Sequence, residues 1–121
     1  MLFICYPKCS TCAKARKWLN DNGFSYEERD ISTSNPTAEE LSLWHKAGAL
    51  PLKRFFNTSG KRYKELDLKN RIPEMSEYEQ IRILASDGML VKRPLLIRDG
   101  LVLVGFSPDE WKTRLKAPQK L

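Results

Sequence analysis

The stretch YPKCSTCAKARKWL, Tyr6 to Leu19, limits what this chain can become more than any other. The apolar run LFICY ahead of it stops at Pro7, which has no N–H to give to a sheet ladder, so a short buried strand is expected to end there. Beyond the cysteines, Ala15, Trp18 and Leu19 recur at helical spacing, and Gly23 stands where a helix stop belongs. Cys9 and Cys12, with Ser10 and Thr11 between them, therefore fall at a strand-to-helix junction. Unpaired backbone N–H groups and the positive end of the macrodipole favour an anion there, so Cys9 is expected to hold a thiolate readily, with Lys8 as a cation beside it. Cys12, about one turn further in, is placed to attack a mixed disulfide formed on Cys9. The pair reads as Cys9 attacking and Cys12 resolving.

The other thiol readings are weaker. Free cysteine often packs as a small hydrophobe, and Cys5, inside the apolar strand with no helix terminus or cation beside it, is read that way. A structural zinc needs four N or S donors. One CxxC pair, Cys5 and the lone His45 supply no second ligand pair at the usual spacing, so no metal is expected and His45 is read as an ordinary helix residue.

The rest of the chain sets the frame around the pair. FSYEERDI alternates and predicts a second strand, closing a β-α-β unit before STSNP. Thr37 opens the next helix with Glu40 completing a capping box, Leu41 and Trp44 face inward, and Gly48 marks the stop. LPLKRFF and YKELDLKN read as short helical pieces joined by the turn NTSGKR. Ser76 and Glu79 form a second capping box, ahead of an inner face of Ile81, Leu84 and Ala85. PLLI and LVLVGF around RDG predict a hairpin, and Ser107, Pro108 and Glu110 open a last helix. The order is β-α-β, helices, β-β-α. It predicts an α/β fold, a thioredoxin-like four-stranded mixed sheet with an all-helical insert at approximately 37–90. A single domain over 1–116 and a frayed tail at 117–121 are expected.

Far from the cysteines, VKRPLLI places Pro94 at the start of an apolar strand, where it is positioned to be cis and to wall the thiol from the other side. Arg93 would then lie near Cys9, lower its pKa and offer planar donors to an oxyanion.

The formal net charge of +6 comes from lysines and arginines interleaved with acids, as in YEERD and KRYKELDLKNR. That pattern is a solvated surface, and no direct nucleic-acid contact is expected. No apolar run is long enough to cross a bilayer, and MLFICYPKC has no secretory pattern, so a cytoplasmic protein with no membrane partner is expected.

YPKCSTCAKARKWL, GKRYKEL, LVKRPLLI and GFSPDEW, in that order along the chain, resemble the arsenate-reductase-like (ArsC/Spx) family, including its Spx regulator branch. The resemblance implies Cys9 as the nucleophilic thiol, Cys12 as its disulfide partner, and Arg93 with Pro94 as the far wall. Glutaredoxin-coupled arsenate reductases set three arginines around one essential thiol. Here Arg93 matches one; the others fall near Asn57, with Arg54 as a replacement if the helix register differs, and at Phe106, which cannot coordinate an oxyanion. Arsenate reduction is therefore not expected. The leading expectation is a thiol–disulfide oxidoreductase with no bound cofactor, taking electrons from a small thiol such as glutathione or from thioredoxin or glutaredoxin. The alternative is a redox-sensing regulator that binds the RNA polymerase α C-terminal domain, with Gly48 nearest to the glycine of that branch's polymerase surface. That branch usually carries a longer tail than KAPQKL. A catalytically silent relative is the third reading.

Overall fold

The central strand β1 (Leu2–Cys5) pairs in parallel with β2 (Glu27–Asp30) and antiparallel with β3 (Leu95–Arg98), and β3 pairs antiparallel with β4 (Leu101–Val104). The sheet order is β2-β1-β3-β4. This computed structural model describes residues 1–116, and the tail expected to fray at 117–121 lies outside them.

The strand sequences follow from their places in the sheet. Phe3, Ile4 and Cys5 of β1 are buried on both faces, which gives a continuous apolar run. β2 is shorter than its alternation predicted, covering EERD alone. It lies at the sheet edge, where charged side chains discourage pairing with another chain. Between β3 and β4, Asp99 and Gly100 both take positive φ, 43° and 84°, as a two-residue hairpin turn requires.

Period-2 alternation divides the core in two. Phe3, Cys5, Leu96 and Leu103 pack with α1 (Ser10–Asp21) and α6 (Pro108–Leu115) through Cys12, Ala15, Leu19 and Trp111. Ile4, Leu95, Val102 and Val104 pack with α2 (Ala38–Ala47) and α5 (Glu77–Ser86) through Leu41, Trp44 and Leu84.

Both predicted capping boxes are formed, at Thr37 with Glu40 and at Ser76 with Glu79, and Ser107 caps α6. Glu40 also takes two bonds from Arg29, at 2.7 and 2.8 Å, which tie β2 to α2. Gly23, at φ 76°, ends α1: its N–H donates to Asn20 O and that of Phe24 to Leu19 O. Gly48 is different. α2 stops at Gly48, as expected, but the left-handed residue is the next one, Ala49 at φ 51°, whereas Gly48 has φ −82°. Gly48 is set by packing, since a Cβ there would lie 2.9 Å from Val102 Cβ.

The stretch between α2 and α5 is more broken than expected. LPLKRFF supplies a 3-10 turn, Leu52–Phe55. The predicted turn NTSGKR loses Lys61 and Arg62 to α3 (Lys61–Glu65), and Asp67, at φ 52°, separates α3 from α4 (Leu68–Arg71). An antiparallel bridge between Phe56 and Val91 sets Asn57 opposite Leu90 and Lys92 opposite Phe55: Asn57 N–H donates to Leu90 O and Lys92 N–H to Phe55 O, both at 2.8 Å.

Candidate thiol site

A tight turn delivers the first thiol from the end of β1 to the start of α1. The Cys9 N–H donates to Tyr6 O at 3.0 Å, and its carbonyl accepts the Ala13 N–H at 3.1 Å, making Cys9 the N-cap. The first turn, Ser10-Thr11-Cys12, carries no acid, so the positive end of the helix is left to the thiol. Burial alone would push Cys9 up. The Cys12 N–H, the Cys12 thiol, the Arg93 guanidinium and the Thr11 N–H together outweigh it and hold Cys9 below its ordinary value. Cys9 remains half-buried, with an open side.

Cys12 has the opposite environment. It is fully buried, and burial pushes its thiol up to about 12, against a Tyr6 N–H that donates to Sγ at 3.3 Å. Cys5 is also buried and pushed up to about 11, by burial first and then by Glu28. The expectation that no cation stands beside Cys5 is corrected: Arg16 Nη2 lies 3.3 Å from its Sγ. The same guanidinium is held by Glu28 through bonds of 2.9 and 3.0 Å, so its field on the thiol is offset by the carboxylate.

The Arg93–Pro94 peptide bond is cis, and Pro94, buried, accepts the Gly105 N–H at 2.8 Å. Arg93 lies with Cζ 5.3 Å from the centre of the Tyr6 ring, and its Nε is buried without a hydrogen-bond partner. Cys9, Thr11, Asn57, Ser59, Lys92 and Arg93 line a cavity of about 310 Å³. A neighbouring cavity of about 420 Å³ shares Thr11, Lys92 and Arg93, and adds Arg54, Phe106 and Glu110.

Of the residues singled out from sequence, Cys9, Thr11 and Arg93 are thus brought to one cavity, with Cys12 buried one turn into the helix. Lys8 and Ser10 are exposed and line neither cavity. Lys92 was overlooked; the KR pair before Pro94 was its only signal, and the bridge that orients it links positions 35 residues apart (91 − 56). Phe106 stacks edge-on against Trp111 at 4.8 Å and offers no polar donor to the cavity it lines. Among the described residues, no group of three or more His, Cys, Asp or Glu side chains is placed to hold a metal ion.

Known proteins are similar to this chain over most of its length. The uncharacterized protein YusI of Bacillus subtilis is 48% identical over 112 residues, covering 93% of this chain and 95% of its own. The global transcriptional regulator Spx of Streptococcus mutans is 29% identical over 104 residues, 86% of this chain and 74% of its own. The crystal structure of an ArsC family related protein from Bacteroides fragilis matches with a TM-score of 0.89 at 54% identity, covering 93% of this chain and 94% of that one. The ArsC family model itself matches residues 5–114, and the chain belongs to the ArsC family.

Proposed function

We propose that the protein is a cytoplasmic thiol–disulfide oxidoreductase in which Cys9 attacks and Cys12 resolves. The observation that carries this reading is the opposite treatment of two thiols one turn apart: Cys9 is half-exposed and favoured as an anion, Cys12 buried and held protonated. The Cys9 thiolate attacks one sulfur of a substrate disulfide and forms a mixed disulfide, and the displaced sulfur leaves as a thiolate. Cys12 then gives up its proton and attacks Cys9 Sγ, which closes the Cys9–Cys12 disulfide and releases the second half of the substrate as a thiolate. Two electrons have passed from the pair to the substrate. A small thiol such as glutathione, or a thioredoxin or glutaredoxin, returns them. Arg93 supports the attacking anion.

Arsenate reduction is not part of the proposal. Phe106 supplies no donor, and Glu110 adds a negative charge to the cavity next to the thiol. The test is mild oxidation followed by mass mapping of alkylated peptides. A Cys9–Cys12 disulfide with Cys5 still a thiol is the expected result; a dominant cross-link to Cys5 would refute the scheme.

A second reading, a redox-sensing regulator that binds the RNA polymerase α C-terminal domain, is favoured by the similarity to Spx. It is also favoured by an exposed apolar pair, Leu43 of α2 and Tyr78 of α5, 64% and 67% exposed.

A further inference from the structure

We propose that the groove between α2 and α5 seats a second copy of this chain, in a twofold dimer that pairs the two α2 helices antiparallel. The groove has a volume of about 500 Å³, and Glu39, Ser42, Leu43 and Lys46 of α2 line it with Tyr78 and Arg82 of α5. Among the described residues, Leu43 and Tyr78 are the large apolar side chains left exposed, and both stand on this one groove. Single exposed apolar residues are ordinary on a surface, whereas two that line one cavity form a patch that binding would cover. Arg82 fixes the Tyr78 ring in place: its Nη1 donates to the hydroxyl at 3.0 Å and its Cζ stands 5.6 Å from the ring centre. That ring therefore has little freedom left to lose on association.

The α2 sequence selects the occupant. Its lining positions 39, 42, 43 and 46 share one face of the helix and read Glu, Ser, Leu and Lys. A twofold axis that crosses α2 between Ser42 and Leu43 lays a second α2 antiparallel on the first, with position 39 opposite 46 and position 42 opposite 43. Glu39 then faces Lys46 of the second copy and Lys46 faces its Glu39, while each Leu43 lies against the small Ser42 of the other chain. Acid meets base and large meets small, each twice, so the stripe is complementary to itself. A parallel pairing would set Glu39 against Glu39 and Lys46 against Lys46. α2 and α5 cover the sheet face opposite the thiol layer, so the cavity at Cys9 stays open in both copies. The patch is smaller than the roughly 20–30 residues a side of a standard interface, and a weak dimer with a Kd of about 100 μM is expected.

The test is sedimentation of the full-length, reduced protein from about 5 μM to about 1 mM, over which the mass is expected to pass from one chain to two. Leu43 packs in neither core layer, so Leu43→Glu is expected to keep the fold and to weaken association by about tenfold or more. Glu39→Lys and Lys46→Glu should each stay monomeric alone, because each sets like charges opposite one another. Mixed one to one they should associate again, since one chain then presents lysine and the other glutamate at both paired positions. Tyr78→Ser, on the other helix, covers charge variants that fold poorly and should also weaken association by about tenfold. Alkylation of Cys9 by iodoacetamide should run at the same rate in the wild-type dimer and in Leu43→Glu. A wild-type chain that stays a monomer at about 1 mM would leave the groove to a different protein and overturn the proposal. So would a dimer unmoved by Leu43→Glu and Tyr78→Ser, folded charge variants that fail to associate when mixed, or Cys9 alkylation slowed by dimerisation.

Discussion

Two thiols one turn apart differ because one sits at the helix N-terminus and the other lies under the helix. At Cys9 the anion meets backbone N–H groups and the Arg93 guanidinium, while at Cys12 burial dominates. A positive neighbour stabilises the charged form of an acid, so Arg93→Ala is expected to raise the Cys9 pKa, read from thiolate absorbance against pH. An unchanged titration would show that Arg93 does not act on the thiol. The buried thiols carry a second consequence. Cys5 and Cys12 are raised from 9.0 to about 11 and about 12, so their neutral forms belong to the folded state. Their contribution is fully present below pH 9 and lost as pH rises toward 11 and 12, so the denaturant midpoint should fall over that window. Cys5→Ala should flatten the lower part of that fall. The roles expected of Cys9 and Cys12 needed only the strand, Pro7 and helix around them. The Arg16–Cys5 contact was hidden because it joins α1 to β1 across the fold, and no local pattern reports which guanidinium crosses.

At the scale of elements, caps and turns were readable because their chemistry is local. At a helix start, a Ser or Thr three residues before Glu can satisfy two orphan N–H groups, and both boxes formed where the sequence placed them. Gly48 stands at the stop of α2 as expected, but a glycine near a helix end has two uses, and only the sheet behind it decides between them. Its missing Cβ makes room for Val102, and the left-handed turn falls to Ala49, at φ 51°. An L-residue with a side chain held there costs about 1 kcal/mol. Ala49→Gly is therefore expected to stabilise the protein by up to about 1 kcal/mol, and Gly48→Ala to destabilise it by about 1–3 kcal/mol through overpacking. Urea unfolding of the two variants checks the pair; a destabilised Ala49→Gly or a stabilised Gly48→Ala would refute the assignment. The broken helices between α2 and α5 were only partly legible. Asp67, at φ 52°, divides a stretch whose composition is helical throughout, and short helices are decided by packing more than by propensity.

For the whole molecule, the sheet separates the two readings of function. Cys12 is buried in the layer under α1 and α6, where Cys9 packs against it, whereas α2 and α5 cover the other face. The order β-α-β, helices, β-β-α was enough to place Cys9 and Cys12 at the passage from β1 to α1. It could not show which face the helices of the insert cover, because that depends on register between distant segments. A regulator that reads the thiol pair through α2 and Tyr78 would need the change at Cys9 to pass through β1, whose alternate residues serve opposite layers. Phe3 and Cys5 belong to the thiol layer and Ile4 to the other, so no buried residue of β1 belongs to both. Calorimetric titration of the RNA polymerase α C-terminal domain into reduced and oxidised protein is therefore expected to show no binding tighter than about 100 μM, or roughly −5.5 kcal/mol, in either state. Leu43→Glu should leave that result unchanged. Micromolar binding that differs between the two redox states and is lost in Leu43→Glu would make the apolar pair on α2 and α5 a docking surface, and the CSTC pair its sensor.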